Sequence, residues 1–264
     1  MHHNSGSASP TECMTTYPLD ISANLLSYEA SLFWFKMRKR LFAFVLDRFF
    51  ADADNFIEIG CGNGSVLQAL AVAKPAMRLA GADINISSLE QLRQRLPRLE
   101  LVRADANALP FGSRFGVVGA FDVLEHFEDD LAVLKELHRI VRPGGGIIIT
   151  VPQHAWLWSA TDSFAHHVRR YSRSELETRM NTAGFRAIYI TSFVSLLFPL
   201  MCLSRIKLKM TSRKDVRERF LGELELSTKL NRMFEVICLV EEGMIRHGVC
   251  FPVGGSLLAV GIKE

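Results

Sequence analysis

The residues best suited to chemistry begin with Phe56-Ile57-Glu58-Ile59-Gly60-Cys61-Gly62-Asn63-Gly64-Ser65, an apolar run that enters three alternate glycines and then a helix start. Alternate glycines let the backbone turn sharply and approach a ligand with no Cβ in the way, and a helix start aims unpaired N–H groups into the same space. That makes a cradle for a small, nucleotide-like molecule. The spacing is Gly-x-Gly-x-Gly with Glu58 two residues upstream, not the Gly-x-Gly-x-x-Gly that seats a dinucleotide pyrophosphate, so a dehydrogenase is disfavoured. Asp83 lies about 20 residues beyond the turn, where an acid suits the two hydroxyls of a ribose. Asp105-Ala106 and the string Asp122-Val123-Leu124-Glu125-His126 follow further along. The long connection from Pro152 to Ser172 then gathers His154, Trp156, Trp158, Asp162, His166, His167, Arg169, Arg170 and Tyr171. A loop this long is functional or disordered, and its aromatics argue against disorder.

The flanking patterns supply elements that would hold these groups at one edge. Apolar segments at Phe56–Ile59, Met77–Ala82, Leu99–Arg103, Phe115–Phe121 and Ile147–Val151 read as strands, and they alternate with four helical patterns. Arg142 to Gly146, with its Pro and three glycines, reads as the break before the fifth strand. Strands are also predicted at Phe185–Ser192 and Ser256–Ile262. The expected fold is α/β: a Rossmann-like, seven-stranded, mostly parallel sheet with helices on both faces and a helical insertion between the sixth and seventh strands. In such sheets ligands bind beyond the carboxyl ends of the strands, where Glu58 to Gly64, Asp83, Asp105, Asp122 and His154 all fall. Residues 1–18 read as a flexible tail and 19–264 as one domain. Within that domain, 19–50 form an aromatic-rich helical cover and 193–252 the insertion, of two or three helices. Arg38 or Arg40 on the cover could pair with an anionic end of the ligand.

Composition sets bounds on these readings. A charged fraction of 22% and a hydrophobic fraction of 48% are ordinary globular usage. Five cysteines, odd in number and without metal-like spacing, fit a reducing, cytoplasmic setting. The apolar run Phe193–Leu203 is too short to span a bilayer of about 30 Å as a helix. The net charge of +3 is concentrated: Arg205 to Arg219 holds seven Lys/Arg against Asp215 and Glu218, a local +5 that leaves the remainder at −2. Residues 193–219 therefore suggest peripheral contact with an anionic membrane, which would place the protein at the inner face. The basic run lacks interleaved aromatics for base stacking, so no nucleic-acid partner is expected.

The ordered motifs from Phe56 to Val151 resemble those of class I S-adenosylmethionine (SAM) methyltransferases, specifically the bacterial type 11 and type 12 groups, over roughly two-thirds of the chain. The resemblance implies that Glu58, Gly60, Cys61, Gly62 and Gly64 surround the methionine part of SAM. It implies Asp83, beside Ile84, on the ribose, Asp105 with the Ala106 backbone on the adenine, and Phe121 to Leu124 as the floor near the methyl group. The implied activity is methyl transfer from SAM, yielding S-adenosylhomocysteine, to a small-molecule or lipid-like acceptor, expected at oxygen. A non-catalytic SAM-binding subunit of a biosynthetic complex is the alternative. In-line displacement needs proximity and, for a hydroxyl, a base; His154 and His167 are the candidates, with a clasp of His167, Asp162 and Arg170 as the competing role for the latter. Asp122, Glu125 and His126 at i, i+3 and i+4 would share one face of a helix, and they are similar to a metal-ligand cluster in some relatives. The same string is widespread in relatives without a metal role, so no metal is expected.

Overall fold

A computed structural model describes residues 28–210 and 226–264. Seven strands form one sheet in the order β3-β2-β1-β4-β5-β7-β6. They are β1 (Asn55–Ile59), β2 (Arg78–Asp83), β3 (Glu100–Arg103), β4 (Phe115–Phe121), β5 (Val141–Pro152), β6 (Phe185–Phe193) and β7 (Ser256–Lys263). The pairings β1–β2, β2–β3, β1–β4 and β4–β5 are parallel, whereas β7 runs antiparallel between β5 and β6. The chain steps outward from β1 through β2 to β3 and then returns to the other side of β1 with β4. That reversal opens a crevice at the carboxyl ends of β1 and β4.

Alternation along each strand splits the core into two layers. Ile57 and Ile59 of β1, Ile147, Ile149 and Val151 of β5 and Leu257 and Ala259 of β7 pack on one side. There they meet α4 (Asp130–Ile140) and α5 (Arg173–Thr182). Phe56, Ile148, Leu258 and Val260 pack on the other, against α1 (Phe33–Phe49), α2 (Ser65–Ala73), α3 (Ile86–Arg95) and α7 (Thr228–Arg246). Strands covered on both faces read as continuous apolar runs, as these do.

The described residues depart from the sequence expectation in three places. The helical cover is not one helix from 19 to 50: helical residues 28–31 stop at Leu32, whose extended backbone (φ −72°, ψ 139°) precedes α1. The flexible tail assigned to 1–18 lies outside the described residues. The helix before Arg142 to Gly146 ends at Ile140, as expected, but the segment itself belongs to β5 rather than preceding it, because its glycines permit close strand approach. A Cβ on Gly145 would sit 2.5 Å from the Gly116 carbonyl oxygen, and one on Gly146 would sit 2.4 Å from that of Gly261. Residues 122–126 do not form an α-helix; only Leu124–His126 coil, as a 3-10 turn. The insertion contributes α6 (Phe198–Met210) and α7, and residues 211–219 of the basic run lie outside the described set. Ser227 caps α7 by accepting from the Leu230 N–H. That helix lies against α1 through Lys36–Glu235 (2.9 Å), Arg40–Glu242 (2.7 Å) and Asn231, whose Oδ1 accepts from the Phe33 N–H at 2.9 Å.

Candidate active site

One cavity of about 1010 Å³ occupies the crevice, and its two ends are built differently. At the first end the backbone dominates. Gly60 and Gly62 have φ of 69° and 48°, the left-handed region that only glycine enters freely. A Cβ on Gly60 would lie 2.6 Å from Val123 Cγ2, while the space over Gly62 is open. Asp83 closes the turn: its Oδ2 accepts from the Gly62 N–H at 2.7 Å and its Oδ1 from the Asn85 N–H at 2.8 Å. Burial raises its pKa and these N–H groups oppose the shift. Each oxygen keeps a further lone pair for a diol. Ile84, Asp105 and Ala106 continue the lining. Asp105 Oδ1 is held by the backbone and side chain of Asn107 (2.9 and 3.1 Å), and the residue is exposed at the cavity. Cys61 lines the cavity, as does Phe121, which stacks on Phe42 with ring centres 4.0 Å apart.

Glu58 gives the strongest sign that this end expects a ligand. It is 4% exposed, and its Oε2 has no hydrogen-bond partner. Burial pushes its pKa well up, against the lowering influence of Arg38. A buried carboxyl oxygen without a partner costs stability unless something fills the space beside it. The methionyl end of SAM carries an ammonium that could do so. With the open space over Gly62 and the lone pairs of Asp83, the residues fit that cofactor.

At the other end, side chains from distant parts of the chain converge. The connection after β5 folds back on itself: Tyr171 N–H donates to the Pro152 carbonyl (2.9 Å) and His154 N–H to that of Tyr171 (3.0 Å). Two buried acids anchor it. Asp130 accepts from Tyr171 Oη at 2.6 Å and from Arg179 at 2.5 Å. Asp162 accepts from Arg170 Nε (2.8 Å) and Nη2 (3.0 Å), from the Ser159 N–H (2.8 Å) and from His167 Nδ1 (3.1 Å). Burial alone would raise the Asp162 carboxyl, but the hydrogen bonds from His167 and Arg170 hold it well below the usual range. An ionised Asp162 assigns the imidazole proton to Nδ1 and leaves Nε2 of His167 with its lone pair.

That Nε2 lies 3.9 Å from Glu125 Oε1, and the His126 ring stands edge-on at 4.9 Å. Glu125 is fully buried with no hydrogen-bond partner for either oxygen, and burial, reinforced by Asp122, raises its pKa well above normal. Burial also depresses His126, with help from His167, to a pKa of about 4, so it is neutral at pH 7. Glu125, His126 and His167 each offer one ligand atom, all within 4.8 Å of one another. The trio that converges is therefore not Asp122, Glu125 and His126. Asp122 has φ 56° and turns instead to an ion pair with Arg38 and to the Thr150 hydroxyl, which donates at 3.1 Å.

Of the predicted site residues, Glu58, Gly60, Cys61, Gly62, Asp83, Ile84, Asp105, Ala106, Phe121 and His167 all line this cavity. Three do not. Leu124 is fully buried in the core, because a 3-10 turn points it inward. Gly64 is a packing position, where a Cβ would sit 2.4 Å from Leu92 Cδ1. His154, at φ 65°, rests against Trp156 and Phe198, with ring centres at 5.6 and 5.3 Å. The clasp of Asp162, His167 and Arg170 is present, and all three residues line the cavity. Glu29, Leu197, Met201 and Phe234 also line the cavity, and burial raises Glu29 to a pKa of about 7. They come from the N-terminal helical segment and from the insertion, which pack together on one face of the sheet, and nothing in their local spacing points to the cavity.

A family described as a methyltransferase domain matches residues 33–190. A probable S-adenosylmethionine-dependent methyltransferase of Mycolicibacterium smegmatis is 28% identical over 156 residues, covering 58% of this chain and 59% of the relative. The trans-aconitate 2-methyltransferase of Azoarcus is 31% identical over 137 residues, 52% of this chain and 51% of that one. The matches thus span between half and three fifths of these relatives' lengths. Among solved structures, a phosphoethanolamine N-methyltransferase 2 of Haemonchus contortus in complex with S-adenosyl-L-methionine superposes with a TM-score of 0.64 at 17% identity. It covers 98% of this chain and 61% of that one, a likeness of fold.

Proposed function

The chain belongs to the methyltransferase-domain family, and from that premise we propose that it transfers a methyl group from SAM to a hydroxyl of a small-molecule or lipid-like acceptor. The observation that carries this reading is the single cavity whose one end is the Gly60–Gly62 turn with Asp83 and whose other end is His167 held by Asp162. When bound, SAM supplies an electrophilic methyl on a sulfonium sulfur. Glu58, Asp83 and Asp105 hold its ammonium, ribose and adenine in the roles their free acceptor atoms suit. His167 takes the acceptor's hydroxyl proton at Nε2, and Asp162 stabilises the imidazolium that results. Arg170 shares the Asp162 carboxylate with His167, and His126, kept neutral by burial, adds no further cation beside the new charge. Leu197, Leu200, Met201 and Phe234 make this end apolar, which suits an acceptor with a hydrocarbon body.

The test is S-adenosylhomocysteine formation over a panel of hydroxylated acceptors and matched amines, with His167→Gln as the control. Turnover on amines but not alcohols, or turnover unaffected by His167→Gln, would overturn the assignment. The convergence of Glu125, His126 and His167 supports one further reading, a divalent cation beside the acceptor oxygen. Turnover that survives exhaustive chelation removes it.

A further inference from the structure

A second buried carboxyl stands beside Glu58 in the cavity. Glu29, in the helical residues 28–31, is 9% exposed and lines the cavity, and its Oε2 has no hydrogen-bond partner. Glu58 Oε2 is in the same condition, and the Glu29 charge adds to the burial that raises the Glu58 pKa, so the two carboxyls lie within electrostatic reach of each other. Carboxyls sharing a site away from water repel unless a cation or a proton comes between them. The cations that act on Glu29 are engaged elsewhere. Arg38 forms an ion pair with Asp122, Lys39 Nζ donates to the backbone carbonyl of Glu29 at 2.8 Å, and Arg95 donates to the Asn63 carbonyl in the glycine turn. Burial accordingly raises the Glu29 carboxyl in spite of them.

Glu29 is held in this place from the insertion. The short helical segment stops where Leu32 becomes extended, and Asn231 of α7 fastens both sides of that break. Its Oδ1 accepts from the Phe33 N–H at 2.9 Å, and its Nδ2 donates to the Ser31 carbonyl at 3.0 Å. The Leu32 N–H donates to the Tyr28 carbonyl at 2.8 Å and closes the turn that carries Glu29. Beside it the Phe33 ring meets Phe234 of α7 edge-on, with ring centres 5.3 Å apart, and Phe234 itself lines the apolar end of the cavity. A carboxyl fixed by its neighbours, buried and left without a partner is destabilising in the empty cavity. A ligand cation placed between Glu29 and Glu58 would relieve both acids at once.

We propose that Glu29 is a second acceptor for the amino group of the cofactor, which sits between Glu29 and Glu58, and that α7 positions Glu29 through Asn231. This rests on the reading of the cavity as a SAM site. The test is calorimetry of the full chain with two ligands: S-adenosylhomocysteine, and the adenosyl thioether of γ-mercaptobutyrate, which keeps the carboxylate and lacks the amine. Glu29→Gln keeps the shape of the side chain and removes its charge. It should weaken S-adenosylhomocysteine by about 20-fold, as loss of one charge-assisted hydrogen bond implies, and leave the deaminated ligand within about twofold. Retained binding of the deaminated ligand also shows that the variant is folded. Asn231→Ala should likewise weaken S-adenosylhomocysteine alone, and should add nothing to Glu29→Gln, because both remove the same contact. Equal weakening of the two ligands by Glu29→Gln would make Glu29 a structural residue and overturn the proposal, as would an unchanged affinity for S-adenosylhomocysteine. Additive losses in the double variant overturn the role of Asn231. A wild-type chain that binds neither ligand removes the SAM site itself, and the role of Glu29 with it.

Discussion

The two ends of the cavity are made from different materials. The end with Gly60, Gly62, Asp83 and Asp105 is built from three short turns at the carboxyl ends of adjacent parallel strands, and its contacts are mostly backbone N–H groups meeting a carboxylate within about 20 residues. The end with Arg38, Glu125, His126, Asp162 and His167 is built from side chains that join α1, the turn after β4 and the connection after β5. The first fixes position by backbone geometry. The second fixes protonation states by burial and pairing. One would then expect the first end to govern cofactor affinity and the second to govern the rate of transfer and its dependence on pH.

The largest expected effect tests that division directly. His167→Gln removes the base and should lower kcat by roughly a thousandfold, while binding of S-adenosylhomocysteine by calorimetry stays within about twofold. A comparable loss of cofactor affinity would show that the ends do not divide the work. The next effect concerns the stability cost of the side-chain end. His126 has its folded pKa depressed to about 4 from 6.5, so on acidification the unfolded chain takes up the proton first. The folded state should therefore lose on the order of 3 kcal/mol as pH falls from 6.5 to 4. Glu58 and Glu125, with raised values, act in the opposite sense, so the quantity to measure is the stability difference between wild type and His126→Asn. A difference that does not shrink between those pH values would mean that His126 is not held neutral by burial.

The same contrast explains what the sequence discloses. The Gly-x-Gly turn, Asp83 and Asp105 are legible because each is set by residues within a few positions and by the strand before it. The seven strands are legible for the same reason, since strands covered on both faces leave apolar runs. The placement of β7 between β5 and β6 is not, because an apolar strand carries no record of its neighbours. Residues 122–126 show the limit most clearly. Their spacing fits one helix face, yet the backbone at Asp122 enters the left-handed region and diverts its carboxylate to Arg38, 84 residues away. His154 and His167 look equally suited to a base in sequence. Only the folding back of the connection on Pro152 and Asp162 separates them, turning one against Trp156 and the other into the cavity.

A smaller effect is expected where the backbone end is altered without being emptied. Asp83→Asn keeps one acceptor oxygen but presents an NH₂ to either the Gly62 or the Asn85 N–H, both of which donate to the carboxylate. Loss of one charge-assisted hydrogen bond is worth about 2 kcal/mol, so affinity for S-adenosylhomocysteine should fall roughly 30-fold. The value of kcat at saturating cofactor should stay within about threefold. A matching fall in kcat would mean that the turn also aligns the transferred group.

The smallest expected effect bears on the group shared by both ends. Arg38 pairs with Asp122, stacks 4.4 Å from the Trp34 ring centre and 5.4 Å from that of Phe42, and its charge opposes the raised pKa values of Glu29, Glu58 and Glu125. Arg38→Lys keeps the charge and gives up the planar stack, a loss of about 1 kcal/mol. Cofactor affinity and the acceptor KM should then worsen together, each by about threefold to fivefold, because one cation sets the field at Glu58 and at Glu125 alike. If only the acceptor KM moves, Arg38 belongs to the side-chain end and the two ends are energetically separate. If both move in parallel, the boundary between them runs through this one guanidinium, and occupation of the cofactor end should itself alter how the other end receives its acceptor.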